Sequence, residues 1–377
     1  MINTILQGNV LERAKDIESN SVQCCVTSPP YWGLRDYGTA TWEGGDENCS
    51  HKRDSKASES CTTGHVNLEG SVGDGIYKSV CKRCGAVRVD NQLGLEETPE
   101  EYVENMVKVF REVKRVLKDD GTLWLNLGDS YCGTGHKGVS KDPKHSDGRS
   151  GQKKAVNNKI QGLKPKDLVG IPWRVALALQ ADGWYLRQDI IWHKPNPMPE
   201  PVTDRCTKAH EYIFLLSKSP KYYYDADALK EKSTTFENRP SGIVRDRLYD
   251  YDSKEKAMGK RTGIKFGGNK YGDSDDPKHA TKSGNEYVDN GMRNKRSVWT
   301  ITTKPYKEAH FAVFPTKLPE LCIRAGTKEG DVVLDPFFGS GTTGWVAREL
   351  GRNYLGIELN PDYIKIAEAR FSQGVLF

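Results

Sequence analysis

The sequence predicts an α/β protein built on a mostly parallel sheet with helices on both faces. Three observations predict it. The apolar segments are short and bounded by turn residues. A capped amphipathic helix lies between two of them. Near the C-terminus a strand, a glycine-rich turn and a helix follow one another. The first strand, Val22–Thr27, is apolar and stops at Ser28-Pro29-Pro30-Tyr31. A helix starts at Thr98, which serves as N-cap, with Pro99 at the first helical position and Glu101 completing a capping box. Val103, Met106, Val107, Phe110, Val113 and Leu117 repeat at helical spacing, and Asp120-Gly121 is expected to end the helix. The remaining strands are expected over Thr122–Leu127, Trp184–Trp192, Glu211–Leu216, Val332–Leu334 and Tyr354–Ile357. A last helix follows over Pro361–Phe371.

A chain of 377 residues has room for two domains, or for one large domain with insertions. Charged residues make up 28% and mean hydropathy is −0.69, which describes a polar-surfaced protein. No run approaches the roughly 18 apolar residues of a membrane span, and no secretory leader is legible at Met1-Ile-Asn-Thr. Nine cysteines, two of them adjacent as Cys24-Cys25, do not make a disulfide framework. A reducing, cytoplasmic setting is therefore expected. The net charge of +5 says less than its distribution.

Three stretches break the strand–helix rhythm and read as insertions on the functional edge of the sheet. Residues 43–91 are polar and hold four cysteines. Residues 133–166 carry a local net charge of +7, more than the whole chain. Residues 226–304 are polar, with tyrosines, glycines and charges of both signs. That leaves 1–42, 92–225 and 305–377 to build the catalytic domain, with the basic loop inside it.

Val332-Val-Leu-Asp335-Pro-Phe337-Phe-Gly339-Ser340-Gly341-Thr342-Thr-Gly344 is a strand, a glycine-rich turn and a helix start. The next strand ends in Glu358, where a carboxylate can take both hydroxyls of a ribose. Only nineteen residues follow Glu358, so the other strands come from upstream and the cofactor unit stands last. Asp335 places a carboxylate at the strand tip. A pyrophosphate would be repelled there, whereas an ammonium and a sulfonium would be attracted. That favours S-adenosylmethionine over a dinucleotide.

Ser28-Pro29-Pro30-Tyr31 offers rigid carbonyls with two prolines that donate no hydrogen bond, and an aromatic ring follows at once. Alone, it could be a strand-terminating turn. Beside a sulfonium-cofactor loop it becomes a grip for a planar group with an amine. Trp32 fits either this pocket or the core.

Together these features resemble the amino-methylating DNA methyltransferases of the permuted, beta group, whose catalytic motif precedes the cofactor motif. Leu125-Asn-Leu-Gly-Asp129-Ser-Tyr131, Asp189-Ile-Ile-Trp-His-Lys-Pro-Asn196, His210-Glu-Tyr-Ile-Phe-Leu215 and His310-Phe-Ala-Val-Phe-Pro315 are similar to that family's intermediate motifs. The resemblance implies a circularly permuted, Rossmann-like methyltransferase fold. It implies S-adenosylmethionine as cofactor, held by Asp335, Phe337, Gly339, Ser340, Gly341, Thr342 and Glu358. It also implies double-stranded DNA as partner, with the target base flipped into the Ser28–Tyr31 pocket. Serine at the first catalytic position usually goes with the N4 amine of cytosine in this family. The N6 amine of adenine is the alternative, and a non-catalytic DNA-binding protein is a more distant one. A small-molecule or RNA methyltransferase would leave the three polar insertions without a purpose. Family members commonly carry Gly-Asp near the N-terminus; here it is Gly8-Asn9, so Asn9 is expected to contact the cofactor in weaker form. The resemblance admits a cognate restriction endonuclease as a further partner, and either a monomer or a homodimer.

Cys49, His51, Cys81 and Cys84 form the candidate structural zinc site, since Cys81-Lys-Arg-Cys84-Gly85 has knuckle spacing. Cys61 competes with His51 as fourth ligand. A long polar stretch with few apolar residues needs such a staple. In the basic loop, Lys153, Lys154 and Lys159 are expected to contact DNA phosphates. Residues 226–304 occupy the place of the family's target-recognition region.

Overall fold

The computed structural model describes residues 2–33, 39–51, 80–90, 92–132, 162–232, 292–303 and 314–373. The basic-loop lysines 153, 154 and 159, Cys61 and residues 304–313, which hold most of the His310–Pro315 motif, lie outside the described residues.

Twelve strands are present among them. In chain order they are β1 (Thr4–Gln7), β2 (Val22–Thr27), β3 (Thr41–Glu43), β4 (Val87–Val89), β5 (Leu117–Leu127) and β6 (Tyr185–His193). There follow β7 (His210–Ser217), β8 (Glu231–Lys232), β9 (Met292–Arg293), β10 (Val298–Thr300), β11 (Val332–Asp335) and β12 (Asn353–Glu358). The α-helices are α1 (Val10–Arg13), α2 (Pro99–Val116), α3 (Ile171–Ala181), α4 (Lys317–Gly326), α5 (Thr342–Glu349) and α6 (Pro361–Gln373).

Eight strands form one sheet in the order β1-β12-β11-β2-β5-β7-β6-β10. β7 alone runs against its neighbours; the other pairings are parallel. The first strand lies beside the last, Thr4 opposite Leu355, so the two ends of the chain meet in the sheet. The chain steps from β11 to β12 in one direction and from β2 to β5 in the other. β11 and β2 are thus neighbours at a topological switch point, the place where α/β sheets open a crevice for ligands.

The core lies between the sheet and the α1–α3 layer, with Tyr102, Met106, Phe110, Leu125, Val175 and Phe214 among its buried members. On the other face α4 packs so closely that a Cβ on Gly326 would sit 2.8 Å from Thr122 Oγ1 and 2.9 Å from Cys24 Sγ. Successive strand residues face opposite sides. The pair Cys24-Cys25 is therefore divided between the two layers: Cys25 joins the α1–α3 core and Cys24 meets α4. Burial pushes the Cys24 thiol up to about 12.

Thr98 caps α2 as expected, accepting from Glu101 N at 3.2 Å while the Glu101 carboxylate takes Thr98 N. The helix ends at Val116, earlier than the Asp120-Gly121 signal. Leu117 is already extended and opens a continuous eleven-residue strand. Asp120-Gly121 belongs to an irregularity in the β2–β5 register, where a Cβ on Gly121 would strike Gln23 O at 3.0 Å. Two short strands of the main sheet, β1 and β10, escape the sequence pattern, as do the short β3–β4 and β8–β9 pairs outside it. β10 belongs to the main sheet although it falls inside 226–304.

Residues 226–295 form a second compact unit. Its described part is a short 3₁₀ turn at Asp227–Leu229 and the β8–β9 pair, closed by an ion pair between Arg293 and Glu231.

Candidate functional site

Parallel pairing of Leu334 with Cys25 brings the C-terminal ends of β11 and β2 to one edge. The Asp335–Thr342 turn and the Ser28–Tyr31 turn therefore lie side by side, although about 300 residues separate them in the chain.

The glycine turn is shaped by one ring. A Cβ on Gly344 would lie 2.5 Å from Phe338 Cζ, and one on Gly356 2.5 Å from Phe338 Cγ. Phe338 is thus held between two glycines, and Gly344 serves packing. Gly341 caps α5 at φ +78°, and Gly339 lies at φ +52° with open space around its Cα. Gly339 N donates to Glu358 Oε2 at 2.7 Å, and Asn360 N to Oε1 at 2.8 Å. These two amides aim the carboxylate, while burial pushes its pKa up. Thr342 accepts from Arg370 at 3.0 Å, and Ser340 is buried with no partner for its hydroxyl among the described residues. Phe337 is partly buried against the core.

Two candidate cofactor residues also have partners within the chain. Asp335 is 2% exposed. Its carboxylate accepts from Thr27 Oγ1 at 2.6 Å, Thr343 Oγ1 at 2.7 Å and Phe337 N at 3.1 Å. Held in this way, it ties the β2 tip to the glycine turn. Asn9 spends its carbonyl on capping α1, accepting from Leu11 N at 2.8 Å.

Burial raises the Asp335 pKa to about 7, against the three hydrogen bonds that lower it. Between about pH 4 and 7 the folded chain then keeps a proton that the unfolded chain releases. This group's stability is full below its unfolded pKa and is lost as pH rises through about 7. Asp335→Asn should accordingly gain on the native protein by about 3 kcal/mol between pH 5 and 8. Denaturant titrations at the two pH values measure it; an unchanged difference would contradict the burial argument.

At the β2 tip, Ser28 and Tyr31 are partly buried and Pro29 is buried. Tyr102 donates its hydroxyl to the Pro30 carbonyl at 2.9 Å. Trp32 is a core residue, 3% exposed, with its Nε1 donating to Glu96 O. The Tyr31 ring rests against Gly128, where an added Cβ would sit 2.5 Å from Cε2. Its hydroxyl reaches Glu211 Oε2 at 2.7 Å, Asn126 Oδ1 at 3.2 Å and Ser28 Oγ at 3.4 Å. Glu211 is paired with Lys194, whose ammonium also lies 4.2 Å from the Trp192 ring. Burial is the main cause that pushes the Tyr31 pKa well up, and the Glu211 charge adds to it. Asp129 caps α3, accepting from Gly170 N and Ile171 N. The roles of Glu211, Asn126 and Gly128 escape sequence reasoning. The signals were their places in the Leu125–Tyr131 and His210–Leu215 motifs and, for Glu211, a charge among apolar residues.

The four proposed metal ligands converge. Their ligand atoms lie within 4.8 Å of one another. Cys49 and Cys81 Sγ are 3.8 Å apart, and Cys84 Sγ is 3.5 Å from His51 Nδ1. A zinc tetrahedron with Zn–S bonds of about 2.3 Å has S–S edges of about 3.8 Å. The β3–β4 pair carries the cluster, and Gly85 turns the chain at φ +78°. The His51 ring stacks on Trp42 at 4.2 Å. Backbone N–H groups of Asp46 and Ala86 directed at Cys84 bring its thiol down to about 6. Beyond β4 the chain reaches Gly94, whose carbonyl accepts from Gly33 N at 2.8 Å. A Cβ there would lie 3.1 Å from Tyr31 O. The Cys/His cluster is thus followed in the chain by Gly94, which packs against the Ser28–Tyr31 turn.

The chain is similar to known proteins. A family model described as DNA methylase matches residues 22–369. Type II methyltransferase M.Cfr9I of Citrobacter freundii is 40% identical over 368 residues, covering 97% of this chain and 87% of the relative. Type II methyltransferase M.SmaI of Serratia marcescens is 40% identical over 366 residues, covering 97% and 89%. In fold, the chain is similar to the solved PvuII DNA methyltransferase (cytosine-N4-specific). The TM-score is 0.52 at 17% identity, over 98% of this chain and 86% of that one.

Proposed function

The chain belongs to the DNA methylase family whose members modify N6 or N4 amines, and from that premise we propose that it methylates the N4 amine of a flipped cytosine in duplex DNA. The observation that carries the reading is the juxtaposition of Ser28–Tyr31 with the Gly339–Glu358 turn at the switch point. The residues fit S-adenosylmethionine as methyl donor. The Glu358 carboxylate, aimed by two amides, suits a ribose diol, and the buried Ser340 hydroxyl has no hydrogen-bond partner among the described residues. When bound, this cofactor supplies an electrophilic methyl group on a cationic sulfur.

The chain's own residues handle the nucleophile. An exocyclic amine attacks poorly because its lone pair is delocalised into the ring. Hydrogen bonds from its protons to Ser28 Oγ and the Pro29 carbonyl turn the nitrogen toward sp³ and free the lone pair. Tyr31 stacks on the flipped base, worth roughly 1–3 kcal/mol. The cation that forms on nitrogen is stabilised by acceptors fixed beforehand, and its extra proton then leaves to solvent or Ser28. Ser28 in place of an acid favours cytosine, and adenine is the second reading. Lys153, Lys154 and Lys159 are assigned to phosphates, and 226–304 to reading the site. A cognate restriction endonuclease is the partner that the relatives' Type II names suggest. The test is tritiated methyl transfer from S-adenosylmethionine to duplex DNA. Label in the DNA is expected; cofactor binding without transfer would support a silent DNA-binding protein instead.

We also assign a structural zinc ion to Cys49, His51, Cys81 and Cys84. Elemental analysis should find one zinc per chain, and Cys84→Ser should lose it. Because the knuckle leads into Gly94, stripping the metal with a chelator should slow methyl transfer and lower thermal stability together. Metal-free protein with full activity would contradict the assignment.

A further inference from the structure

Tyr31 has one hydroxyl hydrogen and three neighbours that compete for it. The ionised acceptor at the shortest distance is Glu211, and a charge-assisted hydrogen bond is about twice as strong as a neutral one. Glu211 is itself held in place. Lys194 bonds Oε1, and Asn126 Nδ2 donates to Oε2 at 3.2 Å. Asn126 cannot turn its amide around, because the same Nδ2 donates to Tyr212 O at 3.0 Å. Its Oδ1 therefore faces Tyr31 as an acceptor. With acceptors on that side, the Tyr31 hydrogen points at Glu211 and its oxygen is left to accept from Ser28. Tyr31 stays a phenol throughout the working range, since its pKa is pushed well up.

The direction of this chain matters for the chemistry. With its hydrogen turned inward, Ser28 shows a neighbouring amine only lone pairs. With the direction reversed, the Ser28 hydrogen would point outward and occupy the nitrogen lone pair that must attack the methyl group.

We propose that Glu211 is a positioning residue for methyl transfer, acting through Tyr31 to make Ser28 a hydrogen-bond acceptor toward the target amine. This rests on the reading of Ser28–Tyr31 as the amine pocket. The carboxylate touches neither base nor cofactor. It lies on β7, two strands from the strand that carries Ser28.

The test is Glu211→Gln, which keeps shape and removes charge, in steady-state kinetics with duplex DNA and S-adenosylmethionine. Expected is a roughly 10- to 100-fold fall in kcat, the scale of a lost charge-assisted contact. KM for cofactor and Kd for DNA should stay within about threefold. Glu211→Asp, which keeps the charge, should recover much of the loss. In a Tyr31→Phe background Glu211→Gln should add nothing, because the relay is already cut. Independent, multiplicative losses in the double variant would overturn the proposal, as would native kcat in Glu211→Gln or equal losses in the Asp and Gln variants. If Glu211→Gln fails to fold, Glu211→Asp and Tyr31→Phe carry the same comparison. Native enzyme that transfers no methyl would defeat the pocket reading itself, a result distinguishable from all of these.

Discussion

Ser28→Ala is expected to transfer methyl groups about 100-fold more slowly than the native enzyme, with cofactor binding nearly unchanged. On the proposed reading, the substitution removes one of the two acceptors that draw the amine out of conjugation. It also removes the donor to Tyr31 oxygen. An interaction needed only in the transition state lowers kcat and leaves ground-state affinity alone. The cofactor turn is anchored elsewhere, by Asp335 on Thr27 and Thr343 and by Gly339 on Glu358. Single-turnover transfer and calorimetry with S-adenosylmethionine separate the two effects. Loss of cofactor affinity with an unchanged transfer rate would mean that the two sites are assigned the wrong way round.

A comparable loss, again about 100-fold in kcat, is expected for Gly128→Ala. The new Cβ would lie 2.5 Å from Tyr31 Cε2 and 2.9 Å from Cδ2. The ring would have to retreat by roughly 1 Å to reach ordinary contact, and displacement on that scale can cost 100-fold. Retreat is opposed at the hydroxyl end, where Glu211 and Asn126 hold it. Overpacking of this kind also costs about 1–3 kcal/mol of stability, which thermal unfolding would register. A Gly128→Ala enzyme with native kcat would show that Tyr31 does not depend on this contact.

The parts of the molecule legible in the sequence were those whose causes are local. Thr98-Pro99 with Glu101 carries its own capping instructions, and α2 starts there. Asp120-Gly121 carries an equally local stop signal, yet the helix ends at Val116. Pairing with β2 draws Leu117 into a strand, and sheet hydrogen bonds outweigh the turn preference. The knuckle was legible because metal ligation demands residue types at fixed spacing, and Cys49, His51, Cys81 and Cys84 converge. Asp335 and Asn9 show the opposite case. Their chemistry suggests ligand contacts, but the partners their oxygens hold inside the chain depend on neighbours that the local sequence does not show. Asp335 met Thr27 from 308 residues away, and Asn9 met the start of its own helix. Glu211 was invisible as a positioning group for the same reason. It sits 180 residues from Tyr31, inside a strand whose pattern reads as core.

Nucleoside mass spectrometry of duplex DNA methylated by the purified enzyme tests the central claim most directly. Digestion to nucleosides after reaction with S-adenosylmethionine should yield N4-methylcytosine and no N6-methyladenine. Ser28→Ala should abolish most of that product. N6-methyladenine as the sole product would contradict the assignment of Ser28 to the cytosine amine, and no methylated nucleoside would contradict the catalytic reading of the Ser28–Tyr31 turn.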